Sequence, residues 1–460
     1  MTTAGMTTAG IKTAGIKVSD GMATGQILYK SMYWKILQLV LSFFINLFLT
    51  RHFQSSISAE FYSFVYLLSL FASFFTLGLD IGLNYYLSRL QISAGAACKI
   101  IAGVTALALL ISLPLLTCLF RPGRYPDLSP GKWVFFAGCH IAGVLLTSLS
   151  GTLFTAYGRN YLPARYSFGI NLVLAAGAFS VSVFYNGHQL VENLFFLYFS
   201  FSFLQGMILY VMAVIGFAGK VVARPGQKIG VGDILRYSFT AFVINFIFFL
   251  GGRLSIYLLP YRVDAADQGN YIQAYKLVEY IGLIASFLYY PFIAMVAGQA
   301  EGKTKDRLLL FLVRLSHTAV LVFSLFMLVA GKTLLPFVYG HSFDRMYGIF
   351  VCFIPGLFPV CSSTFFTAWY YGAGQLKYNF ISGCIQLTTI FILFFVGTSL
   401  GGVRGAAVAF SLGSIASMAY DCIVFRKMAP YRLRDLLLAN GADWRLVLDF
   451  VRQWRRQPAK

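Results

Sequence analysis

The chain has 460 residues, of which 58% are hydrophobic, 17% aromatic and only 11% charged. A soluble domain carries about 25% charged residues, so a water-soluble protein is excluded. The net charge of +20 comes from basic residues that lie between apolar runs, which points to loops beside anionic lipid and away from nucleic acid.

In chain order, residues 1–26 open with the tandem MTTAG, MTTAG, IKTAG. They have no apolar core of the kind a cleaved signal peptide needs, so a cytoplasmic low-complexity N-terminus is expected. Apolar windows follow at 27–50, 61–86, 98–120, 133–156, 162–184 and 193–217, and again at 236–259, 271–297, 308–330, 347–370, 376–397 and 401–424. Each is long enough for the ~20 residues of one crossing. The fold expected is an all-α polytopic membrane protein of about 12 transmembrane helices in two six-helix bundles, residues 27–218 and 236–425. A cytoplasmic linker, 219–235, holds Lys220, Arg224 and Lys228, and a tail, 426–460, ends the chain. In that tail Leu446, Val447, Phe450, Val451 and Trp454 recur at helical spacing among Arg445, Arg452, Arg455 and Arg456. This predicts a basic amphipathic helix on the anionic inner leaflet.

With both termini cytoplasmic, the inside segments and span edges hold 24 basic residues and the outside ones 8, the asymmetry a multi-pass inner-membrane protein shows. An even number of spans per half makes any internal duplication a parallel repeat about an axis along the membrane normal. Thr152-Leu153-Phe154-Thr155-Ala156-Tyr157 recurs 212 positions later as Thr364-Phe365-Phe366-Thr367-Ala368-Trp369, and Arg165-Tyr166-Ser167-Phe168 recurs at the same offset as Lys377-Tyr378-Asn379-Phe380. Spans four and five are thereby set opposite spans ten and eleven by a parallel pseudo-two-fold.

Further motifs sit between these. The first half carries Leu49-Thr50-Arg51-His52-Phe53, Glu60-Phe61-Tyr62 and Leu77-Gly78-Leu79-Asp80. The second half carries Gly252-Arg253-Leu254, then Gly269-Asn270-Tyr271-Ile272-Gln273-Ala274-Tyr275-Lys276-Leu277 with Pro291 beyond it, then Gly402-Val403-Arg404-Gly405-Ala406-Ala407-Val408-Ala409. In order and spacing these resemble the Wzx-type oligosaccharide flippases of the MOP superfamily, relatives of the MATE exporters and of the lipid II flippase. Gly252 and Tyr85 stand where that family often has an Asp and a basic residue. The resemblance implies alternating-access flipping of a polyprenyl-diphosphate-linked oligosaccharide across the cell inner membrane in polysaccharide biosynthesis. It also implies contact with anionic lipids, a polysaccharide polymerase or glycosyltransferases as further partners, and no cofactor, metal or nucleic acid.

Such a substrate asks for cations at the diphosphate and for polar and aromatic groups at the sugars. Arg253 lies deep in an otherwise uncharged window; a charge near a helix centre costs about 2.5–3.5 kcal/mol to insert, so a cavity or partner is expected there, with snorkelling as the plainer reading. Lys30 and Lys35, at the start of span one, are either a ladder for incoming headgroups or interface residues. Lys276 is the fourth substrate-binding candidate; with Glu279 it forms an i, i+3 pair expected to neutralise itself. Asp80, Glu279 and Asp421 are the acids that proton or sodium coupling would use, a structural pairing being open for each. His140 is expected as a hydrogen-bonded core residue, and Trp369-Tyr370-Tyr371 and Tyr289-Tyr290 as interface belts more than sugar platforms. The seven cysteines, with no C-x-x-C pair among them, are read as small core residues.

Catalytic motifs such as H-E-x-x-H, G-x-S-x-G or a P-loop do not occur, and the longest outer loop, about 121–132, holds only Asp127. A membrane glycosyltransferase or polymerase is therefore disfavoured. A MATE-like cation-coupled exporter is the nearer rival; it is expected to bury acids in its first half, where span one carries lysines instead.

Overall fold

The computed structural model describes residues 20–88, 91–119, 130–219, 230–298 and 302–428, and in the tail 431, 436, 438, 439, 441, 443 and 444. Helices run in the order α1 (Asp20–Thr76), α2 (Leu79–Ser88), α3 (Ala94–Leu119), α4 (Pro130–Ala156), α5 (Tyr161–Phe184) and α6 (Gly187–Phe217). Then come α7 (Val231–Leu258), α8 (Ala265–Ser286), α9 (Tyr289–Gly298), α10 (Gly302–Tyr339), α11 (Met346–Gly372) and α12 (Leu376–Met428). No strand occurs among the described residues. The low-complexity start, linker residues 220–229 and the amphipathic stretch from 445 onward lie outside the described residues.

Among the described residues nine helices are long and apolar enough to cross a membrane. Two of them are hairpins. α12 has 53 residues, ~80 Å if straight against a hydrocarbon core of ~30 Å. It leaves helical geometry at Gly401 and Gly402, and Ser382 Oγ then meets Ser417 Oγ at 2.8 Å, so its two arms run side by side. α1 breaks at Gln54, whose φ is 59°. Gln273 is bonded by Asn46 at 3.3 Å and bonds Ser58 at 2.9 Å, which a straight helix with those two residues ~18 Å apart would not allow. Counting both arms of each hairpin, and adding α8 with α9, every apolar window of the sequence falls on a helix. Two windows are not continuous. The second is interrupted at Leu77 and Gly78, with φ of 47° and 66°, and the eighth at Phe287 and Leu288.

α4 is the centre of the first lobe, packed on α6, α3 and α2, with α5 between α1 and α6. α11 has that place in the second, against α12, α8 and α10, and α12 also covers α7. The lobes meet along two seams, α1 on α8 and α2 on α7. Apolar residues on the outer faces, Phe184, Val329 and Leu400 among them, are more than three-quarters exposed, the surface a lipid environment accepts.

A matching turn occurs in each lobe, but out of step with the 212-residue sequence match. Arg159 N–H bonds Phe154 O and Gly158 N–H bonds Thr155 O; Gln375 N–H bonds Tyr370 O and Gly374 N–H bonds Tyr371 O. Both are Schellman caps with a glycine at φ 71°. They recur at an offset of 216, one helical turn beyond the offset of the matching residues.

Trp369 and Tyr370 are buried rather than placed in an interface belt; Trp369 Nε1 donates to Asp306 at 3.2 Å. His140 is a buried core residue beside Ser69, as expected. Arg314 grips Asp443 in a two-pronged pair at 2.8 and 2.7 Å, His317 meets Leu436 O at 2.8 Å, and Ala439 N–H donates to Thr318. The start of the tail is thus tied to α10.

A polar cavity and two seams as the candidate functional site

A cavity of about 430 Å³ lies in the first lobe, walled by α1, α4, α5 and α6 and closed on one side by α8. That is within the ~300–1,000 Å³ of small-molecule sites. α1 supplies Gln38, Ser42 and Asn46, spaced i, i+4, i+8 so that they stand on one helix face; Thr147 and Ser148 of α4, Asn171 of α5 and Ser202 and Gln205 of α6 add to the polar lining. Tyr62, Tyr198 and Tyr280 add ring faces. Of the lining residues Lys276 is the one cation, and none is a carboxylate.

Lys276 is held by the opposite lobe. Its Nζ donates to Asn46 Oδ1 at 2.5 Å and stands 3.1 Å from the centroid of the Tyr62 ring, a cation–π contact. Lys276 and Glu279 make no direct ion pair. Glu279 turns instead to α7, where its Oε1 accepts from Arg253 at 2.7 Å, and its Oε2 accepts from Tyr66 OH of α1 at 2.6 Å. The guanidinium can approach a carboxylate in plane, and Phe249 lies under it at 4.3 Å. Both partners are about three-quarters buried, and Arg253 Nε has no hydrogen-bond partner. Arg253 therefore sits against a partner inside the protein, with no sign of snorkelling.

These contacts belong to a zipper along one face of α8. Gln268 donates to Ser63 at 2.6 Å and Gln273 to Ser58 at 2.9 Å, then Lys276 and Glu279 continue it, three to five residues apart. At its start Gly269 is so close to α1 that a Cβ there would lie 1.9 Å from Ser55 O. The other seam is tight as well: a Cβ on Gly78 would lie 2.4 Å from Ser238 O of α7. Both seams are closed.

The structure thus brings Arg253, Lys276 and Glu279 together and leaves the other candidates apart. Lys30 is exposed and Lys35 half-buried, two turns before Ser42 on the same face, and neither lines the cavity. Asp80 is in the first turn of α2 and does not line the cavity. Asp421 is buried between the arms of α12. The amides and hydroxyls of the cavity went unread in the sequence, although polar residues at every fourth position of span one, Gln38, Ser42 and Asn46, were a visible signal.

No protein-family model and no curated protein sequence matches the chain. Solved structures do. A MOP superfamily transporter from Pyrococcus furiosus, described as having a binding pocket of reverse polarity, is similar over 88% of this chain and 95% of its own, with a TM-score of 0.67 at 10% identity. The fold is that of the MOP transporters. The Vibrio cholerae MATE transporter VcmN matches over 89% of this chain and 97% of its own (TM-score 0.59, 13% identity), and the lipid II flippase MurJ, in an inward closed conformation, over 96% and 94% (TM-score 0.56, 14% identity). These neighbours are multi-pass membrane transporters and flippases, and the two-lobed helical architecture is shared with them.

Proposed function

We propose that the chain is a flippase that carries a polyprenyl-diphosphate-linked oligosaccharide across the cytoplasmic membrane, with both termini cytoplasmic and with bundles 27–218 and 236–425 rocking about the substrate. The chemistry of the cavity carries this reading. Amide and hydroxyl groups interleaved with tyrosine faces suit a polyhydroxylated sugar, Lys276 suits the diphosphate, with Arg253 able to join it only on release from Glu279, and a lining without a carboxylate gives an organic cation nothing to pair with. The likeness in fold to a lipid II flippase and the Wzx-like motifs support the same substrate class. In this reading the α1–α8 seam, which borders the cavity, is the outer gate and the α2–α7 seam the inner one, and Lys30 and Lys35 receive headgroups at the inner surface.

The test is flipping of a fluorescent polyprenyl-diphosphate oligosaccharide in proteoliposomes. Lys276→Gln removes a charge-assisted bond of about 1.5–3 kcal/mol, so at least a tenfold fall in rate is expected, with Asn46→Leu also impaired. Vesicles that export a cationic dye but leave the lipid-linked sugar in place would overturn the proposal.

A further inference from the structure

A second cavity, of about 360 Å³, opens in the other lobe where the starts of α8 and α11 meet the turn of the α12 hairpin. Asp267 comes from α8, Arg345 and Ile349 from the start of α11, and residues 401–404 from the hairpin turn. The transport path proposed above uses none of them. The turn is held firmly: a Cβ on Gly405 would lie 1.8 Å from Gly397 O, so the two arms touch by backbone beside it and fix where Arg404 stands.

Arg404 is exposed and yet seated. Its guanidinium lies over Gly348 of α11, where a Cβ would stand 2.9 Å from its Nη2 and 3.1 Å from its Cζ; only glycine leaves that room. Among the described residues no carboxylate or hydrogen-bond acceptor takes this guanidinium. Arg345, three residues before Gly348, spends one nitrogen on Asp267 Oδ1 at 2.6 Å, and its side chain is 61% exposed. An ion pair so open to water is weak, so an anion of higher charge can displace the carboxylate. From the rim of the cavity Leu400, Val396 and Ile392, four residues apart, form an exposed apolar strip down the first arm of α12, ~12 Å long.

We infer that Arg345 and Arg404 form a second binding site for the diphosphate of a polyprenyl-linked lipid, separate from Lys276, with the isoprenoid tail laid on the strip from Leu400 to Ile392. Each guanidinium is a planar fork that binds phosphate oxygens in pairs, so two forks suit two phosphoryl groups, and the strip suits a ligand anchored in the bilayer. The inference rests on the substrate class and orientation proposed above, which set this cavity at the outer surface, where the lipid leaves. Asp267 directly precedes Gln268, the first link of the α1–α8 zipper. A diphosphate that takes Arg345 from Asp267 therefore unties the first turn of α8 from α11 and leaves the Asn270 amide on Ser342 O, at 3.2 Å, to hold it.

Labelling of the purified full-length protein with p-hydroxyphenylglyoxal, which attacks free guanidinium groups, tests this when the modified arginines are mapped by mass spectrometry. Sodium pyrophosphate should protect Arg404 at concentrations at least tenfold below those of sulfate, at constant ionic strength. Arg345→Gln should raise the protecting concentration at least tenfold, and Asp267→Asn, which removes the competing carboxylate, should lower it. Lys276→Gln should leave it unchanged, because that lysine serves the other cavity. In nanodiscs a polyprenyl diphosphate should protect and phosphatidylglycerol should not. Equal protection by sulfate or by phosphatidylglycerol would reduce the site to a general attraction for anions, and loss of protection in Lys276→Gln would place the diphosphate in the first cavity; either overturns the inference. Protection is read without transport: a protein that protects Arg404 yet flips no lipid-linked sugar refutes the proposed function, and one that flips with Arg404 unprotected refutes this site alone.

Discussion

Replacing Gly269 by alanine tests the gate assignment most directly. The added Cβ would lie 1.9 Å from Ser55 O and 2.7 Å from its carbonyl carbon, where ordinary contact begins at 3.4 Å. The obstacle is backbone, so it cannot rotate away; α1 and α8 must separate by something over an ångström. Overpacking of this kind costs about 1–3 kcal/mol, all of it against the closed seam, which lowers the closed-to-open ratio about 5- to 150-fold. The Gln268–Ser63 bond, at 2.6 Å, is one residue away and reports the change. In a background without the seven native cysteines, Ser63→Cys with Gln268→Cys should cross-link readily on oxidation, and Gly269→Ala should suppress the cross-link and open Ser63→Cys to an impermeant maleimide. Gly78→Ala, whose Cβ meets Ser238 O at 2.4 Å, loads the opposite seam and should raise the cross-linked fraction. If Gly269→Ala cross-links and transports like the parent, the α1–α8 contact is not a moving seam.

Two more expectations are open to measurement. Glu279→Gln strips Arg253 of its charge partner, at about 1.5–3 kcal/mol for a charged hydrogen bond, and should reduce abundance in the membrane; adding Arg253→Gln should restore abundance but not flipping, and full complementation by the double variant would leave the pair a purely structural role. Reporter fusions after Lys132 and Ala265 should read outside and one after Lys228 inside, and an outside signal at Lys228 would break the two-times-six arrangement.

The helices were legible because a membrane imposes its length and polarity on every window, and long-range contacts hardly enter. The breaks at Leu77-Gly78 and Phe287-Leu288 were not, since hydropathy has no term for one residue crossing into positive φ or for a helix ending among apolar neighbours. α8 shows the limit from the other side. Its polar face, Gln268, Gln273, Lys276 and Glu279, removes it from the helices that pass on apolarity alone, and those residues make the seam. The partner of Glu279 was not legible for a simple reason: Lys276 is its neighbour on the same helix, whereas Arg253 of α7 reaches it only through the tertiary fold. Proximity along the chain is a weak guide where a buried charge has a partner across a helix interface.

The zipper also bears on how occupancy and gating are linked in the proposed cycle. Asn46 and Lys276 line the cavity and at the same time bond each other across the lobes, so the groups that would receive a sugar hydroxyl or a phosphate oxygen are spent, in this state, on holding α1 to α8. A ligand with acceptors of its own competes for Lys276 Nζ, and one with hydroxyl donors competes for Asn46 Oδ1. Each bond transferred to the ligand is withdrawn from the seam. The exchange is nearly neutral in hydrogen-bond count, which keeps the closed and open states within the few kcal/mol that a transport cycle can traverse. An apolar seam at this place would close as firmly but would have nothing the substrate could displace.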